Sequence, residues 1–270
     1  MKEHNKLKNL YFELDEWLDE AVNYFMHLVD NHAKPLALIT GDPDLLLNDF
    51  VYFCVTKSCR SLRAILLLID QRFEEDALIL VRSIYENYLS SAYVIQTPTA
   101  LEYFIYNRIG LGVGVLEHPI TPKGKRDPRK VRNKHTDEVS TLTLSISDLA
   151  KGTGIREDQE FFTSFYNYLC QHTHSNMISS GSYRTDDNCK YTHCCHDTPL
   201  QAKYYTTLVM ALLGQCLLKF PHFPEELKPS LILLTKWARD LLMRELDIFD
   251  FRTVEGLKTA IPHRLNAFAT

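Results

Sequence analysis

One stretch of the sequence, Phe161–Asn176, carries side chains that could do chemistry at helical spacing. Tyr166, Cys170 and His174 follow one another at steps of four residues. On an α-helix this spacing places a phenol, a thiol and an imidazole on one face. His172 adds a second imidazole two residues before His174. The stretch therefore predicts a polar stripe on an otherwise apolar helix.

A second polar pair occurs in Val81–Tyr93, where Arg82 and Glu86 are separated by the same step. An imidazole and a guanidinium together support acid–base cleavage of RNA. His174 would move the proton, and Arg82 would stabilise charge on the phosphate oxygens. Glu86 would orient Arg82 or His174, and Tyr166 would act as a positioning donor. The same groups can equally close a buried hydrogen-bond network, so both interpretations stay open.

A basic segment, residues 119–136, is the candidate for contacting nucleic acid. It is rich in proline and glycine, which predicts a mobile loop. Cations in such a loop can contact phosphates. No aromatic residue is interleaved for base stacking, so a solvated connector between helices is the alternative. The candidate nucleic-acid-binding residues are Lys123, Lys125, Arg126, Arg129, Lys130 and Arg132.

One short segment, 182–198, has the residue types of a metal site. Zinc sites draw on separated pairs of ligands, whereas these crowd together and two of the cysteines are adjacent. We therefore assign no metal, and free thiols are the preferred interpretation. Phosphate-cradling glycine loops are absent from the sequence, which argues against nucleotide hydrolysis. We expect no cofactor. The residues concerned are Cys189, His193, Cys194, Cys195 and His196.

The composition is that of an ordinary soluble globular protein. Of the 270 residues, 45% are hydrophobic and 24% are charged, with a net charge of -4. The chain does not have the overall positive charge of many nucleic-acid binders. It contains no apolar run long enough to span a membrane. Seven cysteines, several of them in apolar patterns, favour a reducing compartment, and we expect a cytoplasmic protein.

The apolar residues recur at three- and four-residue steps, which predicts an all-α fold. We expect one domain, 1–270, built as a bundle of seven or eight helices. The helix at about Glu75–Ile95 is expected to lie centrally because its apolar positions cover most of its circumference. No strand alternation of convincing length is present. Residues 250–270 are expected to be loosely ordered, with a short helix near Val254–Thr259.

The sequence resembles a bacterial all-helical family classed as a domain of unknown function. The resemblance covers about Leu45–Phe220 and rests on two helices, Leu80–Tyr88 and Tyr166–Asn176. The first carries R-S-x-x-E, and the second carries a tyrosine followed at a fixed distance by a histidine. Cys170 stands where the family usually has serine. The matching residues are Arg82, Ser83, Glu86, Tyr166 and His174.

This family is broadly similar to the HEPN class of helical bundles, many of which are ribonucleases in toxin–antitoxin and phage-defence systems. The resemblance implies a metal-independent endoribonuclease or RNA-binding effector, with RNA and a second copy or another protein as partners. HEPN ribonucleases use an arginine shortly before a histidine on one helix, and neither His172 nor His174 has one. Arg82 would have to act from another helix. A non-catalytic interaction or regulatory module, often dimeric, is the alternative.

Overall fold

The helical elements follow the periodic apolar patterns in the sequence. The structure is a computed structural model that describes residues 2–173, 183–184, 190, 200–244 and 255–267. The predicted all-α bundle is confirmed, and α2, α5 and α6 are its short helices. Within the described ranges the helices are α1 (Lys2–His32), α2 (Leu36–Thr40), α3 (Leu46–Asp70), α4 (Glu74–Gln96), α5 (Asn107–Gly112), α6 (Ile146–Lys151), α7 (Arg156–Thr173), α8 (Leu200–Leu218), α9 (Lys228–Arg244) and α10 (Glu255–Asn266).

Helix α8 is the central helix of the fold. Every residue from Ala202 to Leu217 is buried, and α1, α3, α4 and α9 pack against it. Helix α4, predicted to be central, contacts α3, α6, α7 and α8 but keeps a partly exposed face. A helix that is apolar on all sides is buried on all sides, and that description fits α8 better than α4. In the part of the chain that the structure describes, no helix has the length and apolar character needed to cross a membrane.

Helices α4 and α7 run antiparallel, which decides which side chains meet. At the start of α4, Glu75 contacts His172 near the end of α7. Farther along α4, the Tyr88 hydroxyl donates to Asp158 in the first turn of α7 at 2.5 Å. Between these contacts the Tyr85 ring packs edge-on against two phenylalanine rings of α7. The partly exposed sides of the two helices therefore lie next to each other.

A small antiparallel sheet lies within and beside the basic segment. Its strands, in the order β1-β2-β3, are β1 (Leu116–Glu117), β2 (Lys130–Asn133) and β3 (Val139–Thr141). The prediction of no strand is wrong here, and so is the prediction of a loop for residues 130–133. Strands of two to four residues are too short to show the alternation that identifies a strand. Only the central strand buries a side chain, that of Val131.

Residues 255–266 correct the prediction of a loosely ordered tail. They form α10, which packs against α7 and α9. Leu257, Ile261 and Leu265 recur at four-residue steps and are fully buried, as is Arg264. The predicted short helix near Val254–Thr259 overlaps only the first half of α10, because Pro262 lies inside the helix and its apolar stripe is only three residues long. The stripe gains its stability from tertiary packing rather than from helix propensity.

Candidate functional site

Three of the predicted site residues meet between α4 and α7, and we call them the Arg82 cluster (Arg82, Glu86 and Tyr166). Arg82 Nε donates to Glu86 Oε1 at 2.9 Å. Arg82 Nη2 donates to the Tyr166 hydroxyl at 2.7 Å, and that hydroxyl donates to Glu86 Oε1 at 2.9 Å. The guanidinium carbon also lies 4.8 Å from the centre of the Tyr166 ring, at cation–π distance. The three side chains therefore hold one another in a fixed arrangement.

The Arg82 cluster is accessible from solvent. The Arg82 side chain is 22% exposed and the Glu86 side chain 33% exposed. A guanidinium has more N–H donors than the two that Glu86 and Tyr166 accept. The remaining donors have no acceptor among the residues described here. The cluster can therefore bind an anion at the open edge of Arg82.

The protonation states in the cluster follow from its contacts. Burial, together with the hydrogen bond to Glu86, raises the pKa of Tyr166 to about 12. Burial lowers the pKa of Arg82, but its hydrogen bond to Glu86 and the charge of Glu86 outweigh burial and raise it overall. At neutral pH Tyr166 is thus a neutral hydrogen-bond donor and Arg82 a cation. These states suit a positioning group and a phosphate-binding group.

The remaining candidates on α7 are divided between two faces. Cys170 is partly buried and close enough to Arg82 and Tyr166 to affect their pKa values. His172 lies elsewhere, with Nδ1 against Glu75 and its ring edge-on to a tyrosine ring at 4.9 Å. Glu75 precedes Arg82 by two helical turns, about 10 Å along α4. His172 therefore does not join the Arg82 cluster.

Several of the predicted site residues lie outside the part of the chain that the structure describes. His174 lies outside the described residues, and so does the cysteine- and histidine-rich group proposed as free thiols. Among the residues that are described, no group of three or more metal-binding side chains could hold an ion. The residues outside the description are His174, Cys189, His193, Cys194, Cys195 and His196.

The basic segment forms a hairpin between β1 and β2, here called the basic hairpin (residues 118–129). Arg132, on β2, forms an ion pair with Glu117 on β1. The other five predicted cations are exposed and have no ion pair with any residue in the described part of the chain. The sheet packs against α5 through β1, and the described contacts include none between these cations and the Arg82 cluster. The five cations are Lys123, Lys125, Arg126, Arg129 and Lys130.

Sequence reasoning missed a second polar group, formed by Tyr88, Asp158 and Arg264. Arg264 Nε donates to Asp158 Oδ1 at 2.5 Å, and Arg264 Nη2 donates to the Tyr88 hydroxyl at 2.8 Å. All three side chains are fully buried. Arg264 and Asp158 are separated by 106 residues, so no local pattern in the sequence indicates that they meet. Its complete burial makes this group a structural connection between α10, α7 and α4.

These features define an all-α bundle with a partly exposed polar cluster between two antiparallel helices. Residues 48–191, more than half of the 270-residue chain, match a family of unknown function (DUF5677), and the chain belongs to that family. The matched range contains all three residues of the Arg82 cluster and the basic hairpin. The predicted membership of a family of unknown function is confirmed. No curated protein and no solved structure matches the chain.

Proposed function

We propose that this protein is an RNA-acting effector that binds a phosphate at the Arg82 cluster. The observation that carries the proposal is the partly exposed guanidinium of Arg82, which Glu86 and Tyr166 fix in place. A fixed planar guanidinium with free N–H donors is suited to bidentate contact with phosphate oxygens. Glu86 neutralises part of the positive charge of Arg82. The site therefore selects a ligand by the geometry of its phosphate oxygens as well as by its negative charge.

The basic hairpin supplies the second contact in this proposal. Its four exposed cations and the adjacent Lys130 have no ion pair within the described residues, so binding a polyanion breaks none of the ion pairs described here. Such contacts to the phosphate backbone provide affinity without sequence preference and weaken as salt rises. We therefore expect the hairpin to bind single-stranded RNA of any sequence.

Cleavage is the activity that the resemblance to HEPN ribonucleases favours. In this proposal His174 is the acid–base group, and Arg82 stabilises the charge that develops on the phosphate. The reaction uses no metal. The protein would work in the cytoplasm, as an effector of the toxin or phage-defence type.

The test is binding and cleavage of a fluorescent single-stranded RNA, followed by anisotropy and by gel. We expect Arg82→Ala to weaken binding about tenfold, the loss of one charge-assisted contact. Arg60→Ala removes an exposed arginine of α3 and is the matched control. His174→Ala should abolish cleavage while leaving binding intact. Equal RNA binding by wild type, Arg82→Ala and a hairpin charge reversal would overturn the proposal.

A non-catalytic interaction module is the second candidate function. The observation in its favour is that the three residues of the Arg82 cluster also satisfy one another, as in a structural network. In that case Tyr166→Phe should lower the melting temperature and change no RNA-dependent property. Thermal melts run beside the RNA assay separate the two functions.

A further inference from the structure

Helices α1 and α9 form a groove with an apolar floor, here called the α1–α9 groove. The cavity has a volume of about 540 Å³, and Leu233 and Trp237 of α9 line it. The Leu233 side chain is 68% exposed, and Trp237 is partly exposed. Covering these side chains with an apolar side chain of a partner would be favourable. The groove belongs neither to the Arg82 cluster nor to the basic hairpin.

The walls of the groove are fixed by hydrogen bonds between the two helices. Trp17 Nε1 donates to the Leu234 carbonyl oxygen at 3.0 Å. The Tyr24 hydroxyl donates to the Leu227 carbonyl oxygen, also at 3.0 Å. Both bonds join a side chain of α1 to the backbone of α9 or of the turn that leads into it. The groove is therefore formed before a partner binds, which lowers the entropic cost of binding.

The rim of the groove is acidic. Glu16 and Glu20 line it from α1, one helical turn apart. Both are exposed, and neither forms an ion pair with a residue in the described ranges. The groove thus combines apolar floor residues with two available carboxylates. A partner that fits it presents an apolar side chain flanked by cations.

The basic hairpin of the same protein has this combination. Ile120 is 58% exposed and forms a backbone bridge with Arg126 across the hairpin. Lys123 and Lys125 lie on the turn between them and are exposed. The hairpin therefore presents one apolar side chain surrounded by cations.

We propose that the α1–α9 groove binds the basic hairpin of a second copy of this chain. Ile120 of one copy packs on Leu233 and Trp237 of the other. Lys125 and Arg126 form ion pairs with the carboxylates on the rim. The charges on both surfaces have no ion pair among the described residues, so the contact breaks none that is described here.

The contact joins two different surfaces, so it is heterologous. The groove lies on α1 and α9, which pack on α8, whereas the hairpin is attached to α5 through β1. After one contact forms, each copy still has one surface available. Two copies that exchange hairpins reciprocally close a twofold dimer, and any other geometry leads to a larger ring or an open chain.

A regulatory consequence follows, and it rests on the proposed function. The cations that would hold RNA are the ones that enter the groove. RNA and a second copy then compete for the basic hairpin. In the assembled protein the hairpin is covered by the groove of another copy. RNA that binds the hairpin displaces it from that groove.

Sedimentation velocity of the full chain without RNA tests the self-association. We expect wild type to form concentration-dependent species larger than the 31.3 kDa monomer. The groove variant Glu16→Lys/Glu20→Lys and the hairpin variant Lys125→Glu/Arg126→Glu should each sediment as monomers. Mixing these two variants should produce a 1:1 complex, because the intact hairpin of the groove variant fits the intact groove of the hairpin variant.

The matched control is Asp30→Lys/Asp44→Lys, which makes the same charge change at exposed positions outside the groove. It should assemble like wild type. A monomeric wild type, or variants that assemble as wild type does, would overturn the proposal. So would a mixture of the two variants that remains monomeric.

A single-stranded RNA added to assembled wild type tests the competition. We expect monomers bound to RNA. Assemblies that bind RNA without dissociating would contradict the competition. The groove variant, with its hairpin intact, separates this inference from the proposed function. If that variant fails to bind RNA while wild type still assembles, the proposed function is wrong and the self-association stands.

Discussion

Arg82 Nη2 donates to the Tyr166 hydroxyl across 2.7 Å, although the two residues are 84 positions apart. This bond joins α4 to α7 where the polar stripes of both helices are partly exposed. Arg82 Nε is used at the same time by Glu86. The arrangement therefore depends on the planar fork of an arginine and not only on its positive charge.

Arg82→Lys should behave as a disruptive substitution even though it keeps the charge. An ammonium cannot hold both partners in the plane that the guanidinium occupies. We expect a loss of about 1 kcal/mol of stability and RNA binding weakened about tenfold. Urea unfolding and fluorescence anisotropy measure the two effects. Arg60→Lys, on the exposed side of α3, is the control and should change neither.

Tyr166→Phe should remove a contribution to the free energy of unfolding that wild type itself loses at alkaline pH. Below pH 10 the hydroxyl should contribute about 1 kcal/mol. The folded pKa of Tyr166 is raised from 10.0 to about 12, so the unfolded phenol ionises first as pH rises. The contribution is therefore fully present below pH 10 and is lost between pH 10 and about 12. Urea unfolding of both proteins across this range measures it. A difference between them that stays constant with pH would contradict the assignment.

Arg264→Met should be among the most destabilising single substitutions in the protein. It leaves the Asp158 carboxylate buried without its cation, which costs about 3–5 kcal/mol. The double variant Arg264→Met/Asp158→Leu removes both charges and should recover part of the loss. Urea unfolding of the single and double variants compares them. Additive losses would show that the two charges do not stabilise each other.

Gly152→Ala should destabilise the turn between α6 and α7. A Cβ atom at this position would collide with the Tyr93 ring of α4. We expect a loss of about 1–3 kcal/mol, the usual cost of overpacking. Tyr93→Leu in the Gly152→Ala background removes the ring and should relieve the clash. Thermal melts of both variants and of Tyr93→Leu alone test this. Failure of the rescue would place the cost in the backbone of the turn.

The sequence by itself determined the long helices and one contact within the site. Helix periodicity is local, so α3, α4, α7, α8 and α9 could be located without a structure. The four-residue spacing also predicts that Arg82 meets Glu86, and the structure confirms this pair. Tyr166 and Cys170 were likewise expected on one face of α7.

Only the tertiary structure decided which helices meet and which charges are buried. The antiparallel packing of α4 on α7 brings Tyr166 to Arg82 and carries His172 to Glu75 instead. Burial of Arg264 depends on partners more than a hundred residues away. These outcomes depend on how several apolar faces pack together. That packing sums over contacts distant in sequence, and a local spacing pattern carries no information about such contacts.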